Sequence, residues 1–512
     1  MSGLSPPRGR VSTFGRPGGT DMAIQILPDS AAAIAWLRGK ATGVLRTDSR
    51  QVLHGDVFIA WPGYAVDARR FVASALAAGA AACLVEAEGV DAFDFQGEHI
   101  AALPQLKAAT GPIAAALLGF PAEAMTVIAV TGTNGKSSTA WWTAQALGAL
   151  GQRCGVVGTL GIGEPPEHVV PTGLTTPDPV TLHRGLAQLR RDGVVVCAIE
   201  ASSIGLVEQR LAGLPIAVAQ FTNFTQDHLD YHHTFEAYFA AKAALFDRVL
   251  PPEGVAVVNM NDPKGIAIAA IATARGQSVL RVGHGEGCDL RILRQRFDAT
   301  GQDLRLSWNG APHQIRLELI GGFQAENVAL AAGLVIAAGE PASDVLAALP
   351  ALTGVRGRMQ HAATRANGAT VFVDYAHTPD AVQTALRALR PHVMGRIIVV
   401  FGAGGDRDRT KRPLMGLAAR DNADVLYVTD DNPRGEDPAA IRAAIMAACP
   451  DAHEIGDRAE AILRGVDALQ PGDALLIAGK GHESGQTIAG TVYPFDDVEQ
   501  ASVAVAALDG TA

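Results

Sequence analysis

Short apolar runs alternate along the chain with glycine-rich or polar turns and with longer stretches rich in alanine and leucine. Residues 127–130 form one such run, which leads through a glycine-rich turn into a predicted helix at residues 136–150. Strands that alternate with helices in this way favour parallel sheets covered by helices. The pattern therefore predicts an α/β protein. The other predicted strands lie at residues 23–27, 194–199, 216–221, 255–258, 370–374, 397–401, 425–429 and 474–478.

The chain length and the restart of this pattern after residue 356 indicate several domains. A chain of 512 residues exceeds what one core supports, since domains usually contain about 100–200 residues. We predict three domains and a tail. They are a disordered tail at residues 1–22, a small α/β domain at 23–107, a central nucleotide-binding domain at 108–356 and a Rossmann-like domain at 357–512.

The tail and the overall composition narrow the class of protein. Residues 1–22 contain no apolar segment typical of a secretory signal, and Met1 and Met22 are both candidate start sites. The net charge of −10 argues against nucleic acid or an anionic membrane as the main partner. The apolar run at residues 328–339 is shorter than the ~20 residues of a membrane span, so we predict a buried helix there. Scattered cysteines without a C-x-x-C pair favour reduced thiols and a cytoplasmic location.

A phosphate-binding loop is predicted directly after the strand at residues 127–130. The sequence TGTNGKSS at residues 131–138 places glycines where a backbone approaches phosphate, followed by Lys136 as a point charge and Ser137 as a magnesium ligand. The full Walker A spacing has a glycine where Val130 stands. The loop predicts ATP binding, but by itself it does not separate a kinase, a GTPase and a ligase.

A second group of polar residues follows two neighbouring predicted strands. Glu200 ends one apolar run, and the sequence TNFTQDHLD at residues 222–230 follows another. Carboxylate and imidazole groups at one sheet edge suit a metal site. From composition alone, His228 is equally well a structural histidine, and Lys242 is better explained as a surface lysine.

Together these segments resemble the Mur ligase family, the ATP-dependent amide-forming enzymes of peptidoglycan synthesis. The likeness runs in order from residue 23 onward. It implies a central P-loop ATPase-like domain with a parallel or mixed sheet, an N-terminal nucleotide-sugar-binding α/β domain and a C-terminal Rossmann-like domain. The segments that carry it are TGTNGKSS at 131–138, EASS at 200–203, TNFTQDHLDY at 222–231, GVRGRM at 354–359, DYAHTPD at 374–380 and GAGGDRDRTKR at 402–412.

The resemblance implies roles around the nucleotide. Lys242 matches the lysine that is carbamylated in this family, which changes an ammonium into an anion that can bind a second Mg²⁺. The implied metal ligands are Ser137, Glu200, His228 and Lys242, and the implied catalytic residues are Lys136, His228, Lys242 and Arg358. The implied ATP contacts are Gly132, Thr133, Asn134, Gly135, Lys136, Ser137, Ser138, Asn327, Arg358 and Asp374, with His377 beside them.

The resemblance also points to the amino acid that is added. Diaminopimelate differs from lysine by one carboxylate, which the guanidinium of Arg434 can bind through two hydrogen bonds. The sequence DNPR at residues 431–434 is typical of a turn when taken alone, but the downstream GKGHE at 479–483 favours an amino-acid site. The implied contacts are Arg407, Asp431, Asn432, Pro433, Arg434, Gly479 and Glu483.

The nucleotide-sugar substrate is expected to contact the first two domains. Three positions depart from the family pattern: Leu174 replaces an asparagine, Ile204 a histidine and Glu208 a glutamine. These departures weaken the expected roles of those side chains. The implied contacts are Thr47, Ser49, Thr175, Thr176, Ser202, Glu208 and Arg210.

The resemblance therefore implies a monomeric cytoplasmic enzyme that uses ATP and Mg²⁺ to add meso-diaminopimelate to a UDP-linked muramoyl dipeptide. Its partners would be these small molecules. A lysine-adding relative and a folylpolyglutamate-forming ligase are alternatives within the same superfamily. A P-loop kinase or switch is an alternative from another class, and a noncatalytic relative is a third, although Lys136, Glu200, His228 and Lys242 are all present.

Overall fold

The computed structural model describes residues 24–64 and 66–510. The chain divides into two compact units that meet in sequence at Ile113 and Ala114. The disordered tail predicted for residues 1–22 lies outside the described residues. The domain boundaries that we predicted after residues 107 and 356 remain predictions.

The first unit contains a parallel sheet of five strands in the order β1-β5-β4-β3-β2 among its described residues. Every residue of β3, β4 and β5 is buried, which accounts for the small or apolar residues at every position except Glu86 at the end of β4. The strands are β1 Gln25–Ile26, β2 Leu45–Arg46, β3 Val57–Ala60, β4 Ala82–Glu86 and β5 Ile100–Leu103. The helices are α1 Ser30–Arg38, α2 Val72–Ala77 and α3 Leu106–Leu117.

The second unit begins with a mixed sheet, which has eleven strands within residues 114–510. Its order is β16-β15-β14-β13-β12-β11-β6-β10-β7-β8-β9. The strands are β6 Thr126–Thr131, β7 Cys154–Gly158, β8 Gly161–Glu164, β9 His168–Val170, β10 Val196–Glu200, β11 Ile216–Phe221, β12 Val255–Asn259, β13 Ser278–Gly283, β14 Leu290–Asp298, β15 Gly301–Trp308 and β16 Ala311–Leu317. The helices are α4 Lys136–Ala149, α5 Pro179–Arg191, α6 Ser203–Val207, α7 Leu229–His232, α8 Phe235–Ala244, α9 Pro263–Ala274, α10 Gln324–Ala337 and α11 Ala342–Ala348.

Both faces of this sheet are covered, and the central strand β6 shows why residues 127–130 are all apolar. Ile128 and Val130 point into a core formed with α4 and α10, whereas Val127 and Ala129 point into a second core formed with α5 and α9. Because successive strand residues alternate between faces, a strand covered on both sides is apolar at consecutive positions. The helix predicted around residues 328–339 is α10, and it is buried.

The two ends of the sheet differ from its centre, because β8–β9 and β14–β16 pair antiparallel. We did not predict these strands. In β14 arginine and glutamine occupy four of the seven exposed or half-buried positions, so the run of apolar residues that reveals β6 is missing. Such half-exposed strands alternate in polarity and are harder to recognise.

The second unit ends with a six-stranded sheet in the order β17-β18-β22-β19-β20-β21 and a separate hairpin, β23–β24, within its described residues. The strands are β17 Gln360–Thr364, β18 Thr370–Asp374, β19 Ile397–Phe401, β20 Val425–Val428, β21 His453–Glu454, β22 Ala474–Ala478, β23 Gly485–Ile488 and β24 Thr491–Pro494. The helices are α12 Pro379–Leu389, α13 Lys411–Arg420, α14 Pro438–Met446, α15 Arg458–Asp467 and α16 Asp497–Asp509. No helix in the described part of the chain is long and apolar enough to cross a membrane.

An ion pair closed off from solvent joins α15 to α16. The guanidinium of Arg458 donates to both carboxylate oxygens of Asp497, at 2.8 and 2.7 Å, and both side chains are completely buried. Arg458 also donates to the carbonyl of Ala478, at the end of β22. Since a cation is unfavourable at a helix N-terminus, the position of Arg458 at the start of α15 is explained by these contacts.

We expect Arg458→Met to lower the free energy of unfolding by about 3–5 kcal/mol, because it leaves the Asp497 carboxylate buried without a partner. Urea denaturation of the full chain measures the change. Arg464→Met is the matched control, since Arg464 pairs with Glu460 on the exposed face of the same helix, and it should cost less than ~1 kcal/mol. Equal effects of the two substitutions would contradict this account.

Candidate active site

The predicted phosphate loop connects β6 to α4 and is shaped by two glycines. Gly132 has a φ of 146° and Gly135 a φ of 85°, which side chains other than glycine rarely adopt. A Cβ atom on Gly132 would lie 1.8 Å from Oγ1 of Thr222. The loop therefore keeps its conformation only with glycine at this position.

The segment after β11 holds the loop from the other side. The hydroxyl of Thr222 donates to the carbonyl of Asn134 at 2.6 Å, and the amide of Asn134 donates to Oδ1 of Asn223 at 2.8 Å. The hydroxyls of Thr133 and Tyr238 lie 3.2 Å apart. The TNFT part of the predicted polar cluster thus fixes the backbone of the phosphate loop.

Two lysines meet at this loop. Nζ of Lys136 donates to the carbonyls of Gly132 and Thr133 at 3.0 and 2.8 Å. Nζ of Lys242, which is 1% exposed, donates to the same carbonyl of Gly132 at 2.6 Å and lies 4.4 Å from the centre of the Tyr238 ring. Burial lowers the pKa of both ammonium groups, and the neighbouring positive charge of Lys136 lowers the pKa of Lys242 further. The environment of Lys242 therefore favours an uncharged amine.

Glu200 lies at the carboxyl end of β10, beside the phosphate loop. Its Oε2 accepts from the hydroxyl of Ser137 at 3.0 Å, and its Oε1 accepts from the amide of Thr159 at 2.9 Å. Nη2 of Arg358, from the second sheet of this unit, donates to Oγ of Ser137 at 3.2 Å. The structure thus brings together Ser137, Glu200 and Arg358.

The oxygens of Ser137 and Glu200 fit one Mg²⁺, because hydroxyl and carboxylate oxygens are the ligands that this ion prefers. His228 lies apart from them. Its Nε2 is 3.4 Å from Oδ2 of Asp227, and no hydrogen bond within residues 24–64 and 66–510 joins it to Ser137 or Glu200. No group of three His, Cys, Asp or Glu side chains in these residues could hold a metal ion. The protein ligands that the structure brings together here are therefore Ser137 and Glu200.

A second set of contacts positions Arg358 and the loop that carries it. The carboxylate of Asp374 accepts from the amides of Met359 and Ala376, at 2.7 and 2.8 Å, so it joins the loop that carries Arg358 to the end of β18. The guanidinium of Arg358 lies 4.7 Å from the centre of the Tyr375 ring. Burial raises the pKa of Asp374, and Arg358 opposes that rise. In this structure Asp374 thus organises the backbone around Arg358.

Two further residues expected at the nucleotide lie close to this loop. Asn327 is buried in α10, and its Oδ1 would lie 2.5 Å from a Cβ atom on Gly135. Nδ1 of His377 is 2.8 Å from the carbonyl of Tyr375, and burial lowers the pKa of this histidine. Asn327 therefore lies directly against the phosphate loop, and His377 lies beside the Tyr375 ring.

Residues expected to bind the dipeptide meet near Glu200. The hydroxyl of Thr176 donates to the carbonyl of Glu200 at 2.7 Å and contacts Oγ of Ser202 at 3.0 Å. Arg210 donates to the carbonyl of Thr176 at 2.8 Å, and the hydroxyl of Thr175 lies 3.0 Å from that of Thr159. These four candidates form one cluster around the end of β10.

Glu208 departs from the family pattern, and in this structure its carboxylate accepts a hydrogen bond of 2.7 Å from the hydroxyl of Tyr231.

Thr47 and Ser49, the expected contacts of the nucleotide sugar, belong to the first unit. Ser49 begins a short 3₁₀ turn. The residue before this turn, Asp48, accepts hydrogen bonds from the guanidinium of Arg50 through both carboxylate oxygens.

The expected diaminopimelate contacts come from three segments of the C-terminal sheet. Asn432 donates to Oε2 of Glu483 at 2.8 Å, and the amide of Arg434 donates to the carbonyl of Thr487 in β23 at 3.0 Å. A Cβ atom on Gly479 would lie 2.5 Å from Oδ2 of Asp431. Arg407 is exposed, and Pro433 is buried between its neighbours Asn432 and Arg434 in the sequence. The structure thus brings the DNPR and GKGHE segments together.

Three side chains at these clusters were missed by sequence reasoning. Thr159 contacts both Glu200 and Thr175, Tyr238 contacts Thr133 and Lys242, and Lys480 lies beneath the amino-acid residues. Lys480 belongs to the GKGHE motif, but the sequence alone does not show that its side chain is buried. Thr159 and Tyr238 lie outside the motifs that we identified, so their spacing in the sequence did not predict their contacts.

A strand, glycine-rich loop and helix lie beside the carboxylate of Glu200, and Arg358 reaches them from the loop before the second sheet. This arrangement is typical of a nucleotide-binding α/β protein. Comparison with family models gives three matches. They are Mur ligase family, catalytic domain at residues 43–119, Mur ligase middle domain at 130–335, and Mur ligase, glutamate ligase domain at 357–481. Together with the relatives described next, these matches show that the chain belongs to the Mur ligase family.

Two curated relatives and one solved structure bear the same name, UDP-N-acetylmuramoyl-L-alanyl-D-glutamate--2,6-diaminopimelate ligase. The relative from Caulobacter vibrioides is 48% identical over 467 residues, covering 90% of this chain and 95% of the relative. The relative from Acidovorax sp. (strain JS42) is 46% identical over 506 residues, covering 96% and 100%. The solved structure has a TM-score of 0.64 at 35% identity, covering 91% of this chain and 94% of that one.

We expect Gly132→Ala to raise the KM for ATP at least ~10-fold, because the added methyl group meets Thr222 and strains the loop that receives the phosphates. Steady-state phosphate release measures the change. Gly148→Ala, in the helix α4 that follows the loop, is the matched control because a Cβ atom there meets nothing within 4 Å. An unchanged KM for ATP in Gly132→Ala would contradict the assignment of the loop.

Proposed function

We propose that this chain is an ATP-dependent ligase that joins meso-2,6-diaminopimelate to UDP-N-acetylmuramoyl-L-alanyl-D-glutamate. The observation that carries the proposal is the similarity of nearly the whole chain to relatives named for this reaction, at 48% and 46% identity. The product would be the UDP-muramoyl tripeptide used in peptidoglycan synthesis, and we place the enzyme in the cytoplasm. We propose functional domains at residues 23–107, 108–356 and 357–512.

The reaction we propose has two steps. The free carboxylate of the D-glutamyl residue attacks the γ-phosphorus of ATP, and ADP leaves with the electrons of the broken P–O bond. The resulting acyl phosphate is then attacked by an amine of diaminopimelate, and phosphate leaves as the amide forms with loss of one proton. No covalent bond to the protein is required.

The residues of the phosphate loop would stabilise the transferring phosphoryl group. Lys136 now lies on the carbonyls of its own loop, at 2.8 and 3.0 Å, and is positioned to turn toward an anion placed over the loop amides. Arg358 reaches Ser137 from the other sheet and adds a second positive charge. Charge that develops on the phosphoryl oxygens would thus meet preorganised cations.

Mg²⁺, when bound, would neutralise charge on the phosphates, and Ser137 and Glu200 are the residues that would hold it. His228 and Lys242 are the further metal ligands we propose. A carbamate on Lys242 would replace a buried ammonium with an anion beside Lys136. The burial of Lys242, which lowers the pKa of its ammonium group, supports this proposal, since the neutral amine is the form that reacts with carbon dioxide.

The amino acid would bind between the DNPR and GKGHE segments. Arg434 donates through Nη1 to the carbonyl of Gly405 at 2.9 Å, which fixes its guanidinium and leaves further N–H groups for a carboxylate. Glu483 would receive the ammonium group next to that carboxylate. Lysine lacks this carboxylate, so Arg434 favours diaminopimelate over the lysine-adding alternative. A P-loop kinase or switch would not need the amino-acid contacts that we propose for the DNPR and GKGHE segments.

The test is phosphate release from ATP with the UDP-muramoyl dipeptide present and with either meso-diaminopimelate or L-lysine added. We expect release with diaminopimelate, and we expect Arg434→Ala to raise the KM for diaminopimelate at least ~10-fold, the scale of a lost charged hydrogen bond. Arg464→Ala, on an exposed helix face, is the control. Release with lysine alone would refute the substrate, and an unchanged KM would place the carboxylate contact elsewhere.

We expect Lys242→Ala to abolish turnover and bicarbonate to restore part of it, because a small anion can occupy the space of the carbamate. Phosphate release with and without added bicarbonate measures both effects. Lys264→Ala is the control, since Lys264 is an exposed lysine whose ammonium group lies over the Phe224 and Phe239 rings. Full activity of Lys242→Ala would refute the carbamate.

A further inference from the structure

The strongest cluster that the proposed reaction does not use lies beneath the amino-acid residues. The side chain of Lys480 is completely buried, and its ammonium group makes three contacts. Nζ donates to Oε2 of Glu483 at 3.0 Å, to Oδ1 of Asn432 at 3.3 Å and to the carbonyl of Gly485 at 2.5 Å. One cation therefore joins the DNPR segment, the GKGHE segment and the start of β23.

These contacts fix the orientation of the Asn432 amide. The backbone amide of Thr487 donates to Oδ1 of Asn432 at 2.8 Å, so this atom is the oxygen and the other is the nitrogen. Nδ2 then donates to Oε2 of Glu483 at 2.8 Å. Each polar atom of the Asn432 side chain thus has a defined partner, and neither can rotate without breaking two hydrogen bonds.

The same contacts orient Glu483. Lys480 and Asn432 both donate to its Oε2, and no hydrogen bond to its Oε1 is present among the described residues. The side chain of Glu483 is 30% exposed, whereas that of Lys480 is 0% exposed. Oε1 is therefore the oxygen available to a ligand, and Lys480 itself cannot reach one.

The hairpin transmits this arrangement to Arg434. β23 begins at Gly485, whose carbonyl accepts a hydrogen bond from Lys480. The amide of Arg434 donates to the carbonyl of Thr487 in the same strand, and the amide of Ala489 donates to the carbonyl of Arg434 at 2.7 Å. Arg434 has a φ of 51°, which this pairing holds in place. The two side chains that face the ligand, Arg434 and Glu483, are thus connected through Lys480.

We propose that Lys480 is a positioning and specificity-determining residue for the amino acid, which rests on the proposed function. Its charge offsets that of Glu483, so that the pair carries no net charge beside Arg434. Such a pair next to an arginine suits the far end of diaminopimelate, which carries one ammonium and one carboxylate. Without Lys480 the pocket gains one negative charge, which favours the simple ammonium of lysine.

Lys480→Met removes the charge and keeps the length of the side chain. We expect kcat/KM for diaminopimelate to fall at least ~30-fold, the KM for ATP to stay within about 2-fold, and the ratio of kcat/KM for diaminopimelate to that for lysine to fall at least ~10-fold. Lys264→Met is the matched control, and the Tm of each variant is measured without substrates.

Lys480→Arg is the second variant, because it keeps the charge and is expected to fold. A guanidinium cannot reproduce the three contacts, so the KM for diaminopimelate should rise at least ~5-fold while the ratio to lysine stays within about 3-fold. An unchanged KM in Lys480→Arg, or a loss in Lys480→Met shared equally by ATP, diaminopimelate and lysine, would overturn the proposal. Wild-type protein that uses lysine alone would instead refute the proposed function, so the two failures are distinguishable.

Discussion

Two lysine side chains converge on one backbone carbonyl, that of Gly132, with Nζ of Lys136 at 3.0 Å and Nζ of Lys242 at 2.6 Å. A carbonyl offers only a partial negative charge, and burial strengthens the repulsion between two cations. Glu200 and Asp227 offset part of this charge, and a bound anion, or loss of the charge on one lysine, would relieve the rest. Nucleotide phosphate supplies the first solution, and carbamylation of Lys242 would supply the second.

The rest of the central site follows from this imbalance. Gly132 must be glycine because its carbonyl can face both lysines only with a φ that side chains oppose. Arg358 then adds a third cation through its contact with Ser137, and Asp374 and Tyr375 hold the loop that carries it. A phosphate bound among these three side chains would offset their charge and favour the contact between Arg358 and Ser137.

Sequence alone predicted the parts of this arrangement that depend on local order. The strand, loop and helix around residues 126–149 are contiguous, and the meeting of Ser137 with Glu200 follows because β6 and β10 are parallel neighbours that end at one edge. The same reasoning predicted the strands β18, β19 and β22, which are apolar because helices cover both of their faces.

The remaining contacts depend on chain segments that lie far apart. Thr159 lies in the turn after β7, and its contact with Glu200 could not be predicted from the spacing of any motif in the sequence. The antiparallel strands β14–β16 carry polar residues on an exposed face, which conceals them from an analysis based on apolar runs. Burial overturns the interpretation of Lys242 as a surface lysine that composition alone favoured, and it also encloses Lys480, to which the sequence analysis gave no role.

The two buried lysines represent opposite uses of charge. Lys480 contacts a carboxylate, with Nζ 3.0 Å from Oε2 of Glu483, so its charge is balanced before any ligand arrives. Lys242 contacts a carbonyl and a ring instead, and no carboxylate of the described residues forms a hydrogen bond with it. A balanced ion pair would let the neighbouring Arg434 discriminate among amino acids by where their charges lie. An unbalanced site binds any suitable polyanion and gains most when negative charge grows there, as it does on a phosphoryl group in transfer.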